Sequence, residues 1–133
     1  MSSWVPVCDY GVLLPERGVC ALVDGRQVAV FRVFDGTVRA IGNLDPFSGA
    51  QVLSRGIVGS REGEPTVASP LHKQVFSLVT GACLDQPGVA VPTYAARVSG
   101  GRVEVASSPG LADPDRTAPG DAGLADSGFV DAA

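Results

Sequence analysis

The sequence lacks the long apolar segments and basic leader that would place the protein in a membrane or secreted class. Its longest uninterrupted hydrophobic run covers residues 19–23, whereas a membrane-spanning helix needs about 20 apolar residues. The first basic residue is Arg17, so no positively charged stretch precedes an apolar segment as it does in a secretory signal. We therefore expect a cytoplasmic protein that does not associate with a membrane.

Positive charge is also scarce. The chain has 10 Lys and Arg residues against 14 Asp and Glu residues, and its formal net charge is −4. Proteins that bind nucleic acid depend on clustered Lys and Arg to neutralise phosphates. The sequence therefore predicts no nucleic-acid partner.

Cysteine and histidine, the usual ligands of metals, are few. The three cysteines, Cys8, Cys20 and Cys83, are widely spaced and form no Cys-x-x-Cys pair, which excludes a zinc ribbon and a thioredoxin-type redox pair. We expect Cys20 to be buried because it lies in an apolar run, and Cys8 and Cys83 to be more exposed because they stand beside turn residues. A single histidine, His72, makes a poor metal site by itself, so a polar loop residue is the favoured interpretation.

Glycine and proline, by contrast, are abundant, with 17 Gly and 10 Pro residues. Asp24-Gly25 and Asp35-Gly36 are typical of turns between strands, and residues 28–31 are apolar on both faces, as in a central strand covered on both sides. No stretch of helical length carries a helical apolar pattern without a Gly or Pro break. The sequence predicts an all-β antiparallel sandwich or barrel, with strands at residues 4–7, 19–23, 27–34, 37–41, 66–68, 73–78, 94–98 and 102–105. The glycine-rich segment 56–63 is interpreted as an insertion, with a hairpin as one form.

Charge divides the chain into a body and a tail. Residues 1–106 hold nine basic and nine acidic side chains, whereas residues 107–133 hold five Asp and one Arg. The tail is rich in Ala, Gly, Pro and Asp and has few larger apolar residues, so we expect it to be disordered. The alternative is that its Phe129-Val130 pair docks on a partner. The body is expected to form one domain.

Two loops carry the most specific pattern in the sequence. Segment 43–47 (Asn-Leu-Asp-Pro-Phe) follows one predicted strand, and segment 69–72 (Ser-Pro-Leu-His) follows another, with Thr80-Gly81 shortly after. This order resembles the Rieske iron–sulfur domain. In that family the first loop carries Cys-x-His and the second Cys-Pro-x-His, and these four residues hold a two-iron cluster.

The resemblance places Asn43 and Ser69 at the two cysteine positions, and Asp45 and His72 at the two histidine positions. Neither a carboxamide nor an aliphatic hydroxyl is the strong soft donor that iron needs where the thiolates belong. We therefore expect a Rieske-like scaffold with four vestigial ligand positions, no cluster, no other cofactor or metal of its own, and no catalytic residue.

Within the Rieske-like proteins, the chain resembles the small subunit of the cytoplasmic NAD(P)H-dependent nitrite reductase. The similarity covers roughly residues 3–106 and includes segments 52–56 and 73–76. It implies an accessory subunit that binds a large subunit. That large subunit would carry the flavin, the 4Fe–4S cluster and the sirohaem, and would reduce nitrite to ammonium.

Such a subunit would contribute a surface to the complex. Leu44, Phe47 and Leu71 are expected at the loop tips, where they either plug the core or dock on the partner. Arg55 faces either a carboxylate of the partner or a surface acid, and Lys73 completes the candidate partner-binding set. Two alternatives stay open: a Rieske-type electron-transfer ferredoxin whose 2Fe–2S cluster has unusual ligands, and a stand-alone β-sandwich binding module.

Overall fold

The computed structural model describes residues 3–110 as strands joined by turns. Two short 3-10 turns, Tyr10–Val12 and Leu53–Arg55, are the helical elements of this region, and neither approaches the length of a membrane span. The all-β prediction is confirmed. The strands in chain order are β1 (Trp4–Asp9), β2 (Gly18–Val23), β3 (Arg26–Arg32), β4 (Val38–Gly42), β5 (Ile57–Arg61), β6 (Glu64–Ala68), β7 (Val75–Ser77), β8 (Thr93–Tyr94), β9 (Ala96–Ser99) and β10 (Arg102–Ala106).

These strands form three antiparallel sheets, with the orders β1-β10-β9, β2-β3-β4-β8 and β5-β6-β7. The β2–β3 hairpin turns at Asp24 and Gly25, whose φ angles are 50° and 81°. A two-residue hairpin turn with two positive φ angles matches the right-handed twist of its strands and favours Asp-Gly. The predicted hairpin at Asp24-Gly25 is confirmed.

The four-stranded sheet separates two hydrophobic cores. On one face Val28 and Val30 pack with residues of the β1-β10-β9 sheet, including Val103. On the other face Ala29 and Phe31 pack with residues of the β5-β6-β7 sheet and its neighbouring loops. Strand β3 is therefore covered on both sides, as its uniformly apolar sequence predicts.

One strand prediction needs correction, and another is made definite. The segment 56–63, interpreted as an insertion with a hairpin as one form, does form a hairpin: it belongs to β5–β6, which turns at Glu62-Gly63 and forms most of the third sheet. Its first strand carries little apolar sequence because much of it is exposed. The single strand predicted at 94–98 is divided at Ala95, since β8 pairs with β4 whereas β9 pairs with β10.

The cysteine predictions were wrong at two positions. Cys20 is exposed because β2 is an edge strand of its sheet, whereas Cys83 is buried because it packs in the second core beside Phe76. Cys8 is half-buried, and all three thiols are free.

The first residues after β10 stay on the body. The backbone N–H of Ser107 donates to Ser3 O (2.8 Å), and that of Gly110 donates to Thr93 O (2.9 Å). The rest of the predicted tail, residues 111–133, lies outside the described residues.

Candidate functional site

Asn43 begins the first loop, directly after β4, and is 1% exposed. Its Nδ2 donates to Gln51 O (3.0 Å) and Gln27 Oε1 (3.1 Å), and its Oδ1 accepts from the backbone N–H of Ser54 (2.7 Å). The amide thus joins β3 to the far end of the first loop. Both of its polar atoms are satisfied by the protein itself, as a buried polar group requires.

Asp45, two residues later, is fully buried. One carboxylate oxygen accepts from the backbone N–H of Phe47 (2.9 Å), and the other accepts from the Ser69 hydroxyl (2.5 Å). Burial by itself would raise the pKa of Asp45, but the hydrogen bonds from Ser69, Phe47 and Ser48 outweigh it and hold the pKa below its ordinary value. The side chain is therefore a carboxylate at neutral pH.

Ser69 places the second loop against the first. It is 1% exposed, and its Oγ accepts from the backbone N–H of Leu71 (3.2 Å) while donating to Asp45. The second loop closes on itself because Ser69 N–H donates to Gln74 O (2.9 Å) and Lys73 N–H donates to Ser69 O (3.0 Å). We call the Asp45–Ser69 hydrogen bond the loop latch, since it joins residues 24 positions apart.

His72, the remaining vestigial position, lies on the surface of the second loop. The structure therefore joins Asp45 directly to Ser69 and keeps Asn43 buried nearby, but leaves the imidazole exposed. Within residues 3–110, no group of three or more His, Cys, Asp or Glu side chains is arranged to hold a metal ion.

The residues at the four positions do not fit a Rieske cluster. Asn43 and Ser69 offer an amide and a hydroxyl where the family has thiolates, and their polar atoms already bond to protein groups. Asp45 is likewise occupied by the loop latch. Sequence reasoning missed one neighbour: the Cys20 thiol accepts from Asn43 Nδ2 (3.4 Å). One thiol cannot replace two, so its presence does not restore the donor set.

The nearness of Cys20 to Asn43 had a signal in the sequence. In the β2–β3 hairpin, Cys20 lies opposite Ala29 and Leu22 lies opposite Gln27, so all four residues share one face. Counting outward from the Asp24-Gly25 turn predicts this register. Which residue contacts that face cannot be counted in the same way, because Asn43 reaches it from the end of β4.

The candidate partner-binding residues divide into two groups. Leu44 and Leu71 are 44% and 52% exposed, and Arg55 and Lys73 also lie on the surface. Phe47 instead packs against the second core, with its ring centroid 6.2 Å from that of Phe76. Of the two alternatives left open for the apolar loop residues, Phe47 follows the core plug and supports the first loop from beneath, whereas Leu44 and Leu71 stay exposed.

Comparison with known proteins identifies relatives over the whole described body of the chain. The Rieske-like [2Fe-2S] domain family matches residues 3–106. The nitrite reductase (NADH) small subunit of Escherichia coli K12 is 46% identical over 106 residues, which are 79% of this chain and 98% of that protein. A nitrite reductase NAD(P)H large subunit of Klebsiella oxytoca is 40% identical over 109 residues, which are 82% of this chain and 11% of that protein.

Solved structures agree. A Mycobacterium tuberculosis crystal structure, described as an NADH-dependent nitrite reductase small subunit, is 56% identical with a TM-score of 0.77, covering 80% of this chain and 96% of that one. The ferredoxin of carbazole 1,9a-dioxygenase from Nocardioides aromaticivorans IC177 is 32% identical with a TM-score of 0.70, covering 80% and 99%.

Proposed function

Because this chain belongs to the Rieske-like family and, within it, to the nitrite reductase small subunits, we propose that it serves an NAD(P)H-dependent nitrite reductase as a subunit without a cluster. It acts by binding the large subunit, which carries the flavin, the 4Fe–4S cluster and the sirohaem and reduces nitrite to ammonium. The observation that best supports this proposal is that Asn43, Asp45 and Ser69, at positions where the family has iron ligands, are buried and hydrogen-bonded to protein groups.

Association with the large subunit has support in the Klebsiella oxytoca relative. There the stretch similar to this chain is a small part of a much longer large-subunit chain. Covalent linkage holds two modules at a high effective concentration. That arrangement suits a domain that functions in contact with the rest of the same complex.

The absence of a cluster separates this proposal from the ferredoxin alternative. Iron and acid-labile sulfide are measured in the anaerobically purified chain, alongside its visible spectrum. We expect no stoichiometric iron, since the chain offers no pair of thiolates at the site. Two irons per chain with a Rieske-type spectrum would instead establish the ferredoxin.

The partner-binding surface consists of Leu44, Arg55, Leu71 and Lys73. Two exposed leucines, one on each loop, supply apolar area, and the exposed cations Arg55 and Lys73 favour an acidic rim on the large subunit. The loop latch holds both loops in one geometry, so the surface is preorganised for binding.

The test is the affinity of the full chain for the purified large subunit, measured by surface plasmon resonance. We expect Leu44→Asp and Leu71→Asp each to weaken binding about tenfold or more, as truncation of a central interface residue does. Phe34→Asp is the matched control, because Phe34 is 51% exposed but follows the end of β3, whereas Leu44 lies near the start of that strand.

The outcomes of this assay separate the remaining hypotheses. A wild-type chain that does not bind the large subunit would support the stand-alone binding module. Wild-type binding with equal losses for Leu44→Asp and Phe34→Asp would keep the subunit but move its interface away from the loops.

A further inference from the structure

Strand β2 is an open edge of the four-stranded sheet. Within residues 3–110, β3 is the one strand that pairs with it. Directly before β2, Arg32 N–H donates to Arg17 O (3.3 Å). Hydrogen-bonded pairs alternate along an antiparallel ladder, so the odd-numbered residues of β2 bond to β3. The backbone N–H and C=O groups of the even-numbered residues therefore point away from the sheet; these residues are Gly18, Cys20 and Leu22.

Strand β2 also lacks the features that protect the other described edge strands. Edge strands usually avoid pairing with other chains by carrying charge, proline or a bulge, by being short, or by being covered. Strand β1 has Pro6 and a register shift, β5 ends in Arg61, β9 contains Arg97, and β8 has two residues. Strand β7 is covered because Leu84 N–H donates to Val75 O. By contrast, β2 has six residues, Gly-Val-Cys-Ala-Leu-Val, with no charge, no proline and a continuous register.

We propose that β2 pairs antiparallel with β2 of a second copy of this chain, about a two-fold axis that passes between the two Cys20 residues. This axis places Gly18 opposite Leu22 of the second copy. On the other face of the sheet it places Val19 opposite Ala21. Each of these pairs joins a larger side chain to a smaller one, or to none. A two-fold interface requires a strand that is complementary in size to its own reverse, because the same patch must meet itself.

Pairing would complete the open edge and cover apolar surface. Cys20 would exchange two N–H···O=C hydrogen bonds with its counterpart, and Gly18 would do the same with Leu22 of the second copy. Leu22 is 70% exposed and Val19 is 37% exposed in the single chain, so pairing would remove apolar area from water at both positions. The two four-stranded sheets would become one continuous sheet.

The contact is small, which sets the expected affinity. Residues 18–22 span about 17 Å as a strand, and one such strand pair falls below the roughly 1,200 Å² that stable, specific interfaces bury. We therefore expect a dimer that dissociates in the micromolar to millimolar range.

The first test is sedimentation equilibrium of the full chain over that range of concentration. We expect Leu22→Lys to weaken dimerisation about tenfold or more, because a two-fold dimer loses both copies of the Leu22 contact and gains two charges at its edge. Ile57→Lys is the matched control: Ile57 is also 70% exposed and also lies in an edge strand, β5. Gly18 is left unchanged, since a Cβ there would lie 2.7 Å from Ser54 O.

The second test traps the dimer through Cys20. Residues in a hydrogen-bonded antiparallel pair have Cα atoms about 5.5 Å apart, which lies within the range that a disulfide can span. Diamide takes two electrons and two protons from two thiols, which then form one S–S bond. On non-reducing gels we expect a Cys20-linked dimer, since Cys8 is half-buried and Cys83 is buried.

The control for trapping is Cys20→Ser/Ser60→Cys. Ser60 is exposed in β5, and counting from the Glu62-Gly63 turn places its backbone groups on the open edge of that strand, as those of Cys20 are in β2. The wild-type chain should form its disulfide about tenfold faster than this variant, because pairing raises the effective concentration of the second Cys20.

Three results would overturn the proposal. The first is a chain that stays monomeric up to millimolar concentration. The second is an equal effect of Leu22→Lys and Ile57→Lys, which would indicate non-specific association. The third is trapping no faster than in Cys20→Ser/Ser60→Cys. A monomeric chain whose Leu22→Lys variant no longer binds the large subunit would instead assign the β2 edge to that subunit. The first three measurements do not involve the large subunit, so they do not depend on the proposed function.

Discussion

Removing the loop latch by Ser69→Ala should destabilise the fold by about 2–3 kcal/mol. The Ser69 hydroxyl donates to a fully buried carboxylate oxygen of Asp45 at 2.5 Å, and a hydrogen bond to a charged group contributes about 1.5–3 kcal/mol. The backbone N–H of Leu71 also loses its contact with Ser69 Oγ. Water can replace that contact because Leu71 is half exposed.

Urea unfolding provides the assay, with Trp4 as the fluorescent reporter. Trp4 is the one tryptophan of the chain, and the Arg97 guanidinium lies 4.1 Å from its ring centroid, so its surroundings change on unfolding. With the slope usual for a small domain, the expected loss lowers the urea midpoint by about 1–2 M. A double-mutant cycle with Asp45→Asn should give a coupling energy of about 1–2 kcal/mol.

Ser60→Ala is the matched control, because Ser60 is exposed in β5 and its loss should change stability by less than about 0.5 kcal/mol. If Ser69→Ala costs no more than Ser60→Ala, the latch contributes nothing to holding the loops. A cycle with no coupling would show that Ser69 stabilises the loop independently of Asp45.

Three further predictions concern the same loops. The pKa of Asp45 is lower in the folded protein than in the unfolded chain, so the ionised carboxylate stabilises the fold fully above the unfolded pKa of about 3.9, and this stabilisation is lost as the pH falls through the lower folded value. Between neutral pH and pH 3, the urea midpoint of Ser69→Ala should therefore drop less than that of the wild type. Phe47→Ala should cost about 1–3 kcal/mol in the same assay, below the 3–5 kcal/mol range of a fully buried Phe because Phe47 is half-buried. Asn43→Cys/Asp45→His/Ser69→Cys rebuilds the ligand pattern with His72, and should bind iron and labile sulfide on anaerobic reconstitution; failure to do so would mean that the scaffold as well as the donors has changed.

Much of the fold follows from local sequence. The Asp24-Gly25 pair predicts its hairpin because few residues accept two consecutive positive φ angles. The apolar residues 28–31 predict a strand covered on both faces, and the structure confirms it. At β5 the sequence indicates a hairpin only as one form of an insertion, because an exposed strand carries no clear apolar alternation.

The site divides in the same way. The identities of Asn43 and Ser69 alone determine that the positions lack thiolates, because donor chemistry belongs to the side chain and needs no fold. Local sequence left open whether Phe47 plugs the core or docks on a partner, since its burial depends on contact with Phe76, which comes from the distant strand β7.

What the sequence determined by itself is therefore the all-β class, the order of the two loops and the chemistry of the groups they carry. The tertiary structure alone decided that Asp45 meets Ser69 and that Cys20 lies exposed beside Asn43. The physical reason is that these features depend on which strands occupy sheet edges and on contacts between distant segments. Neither is encoded in the periodicity of a single stretch of chain.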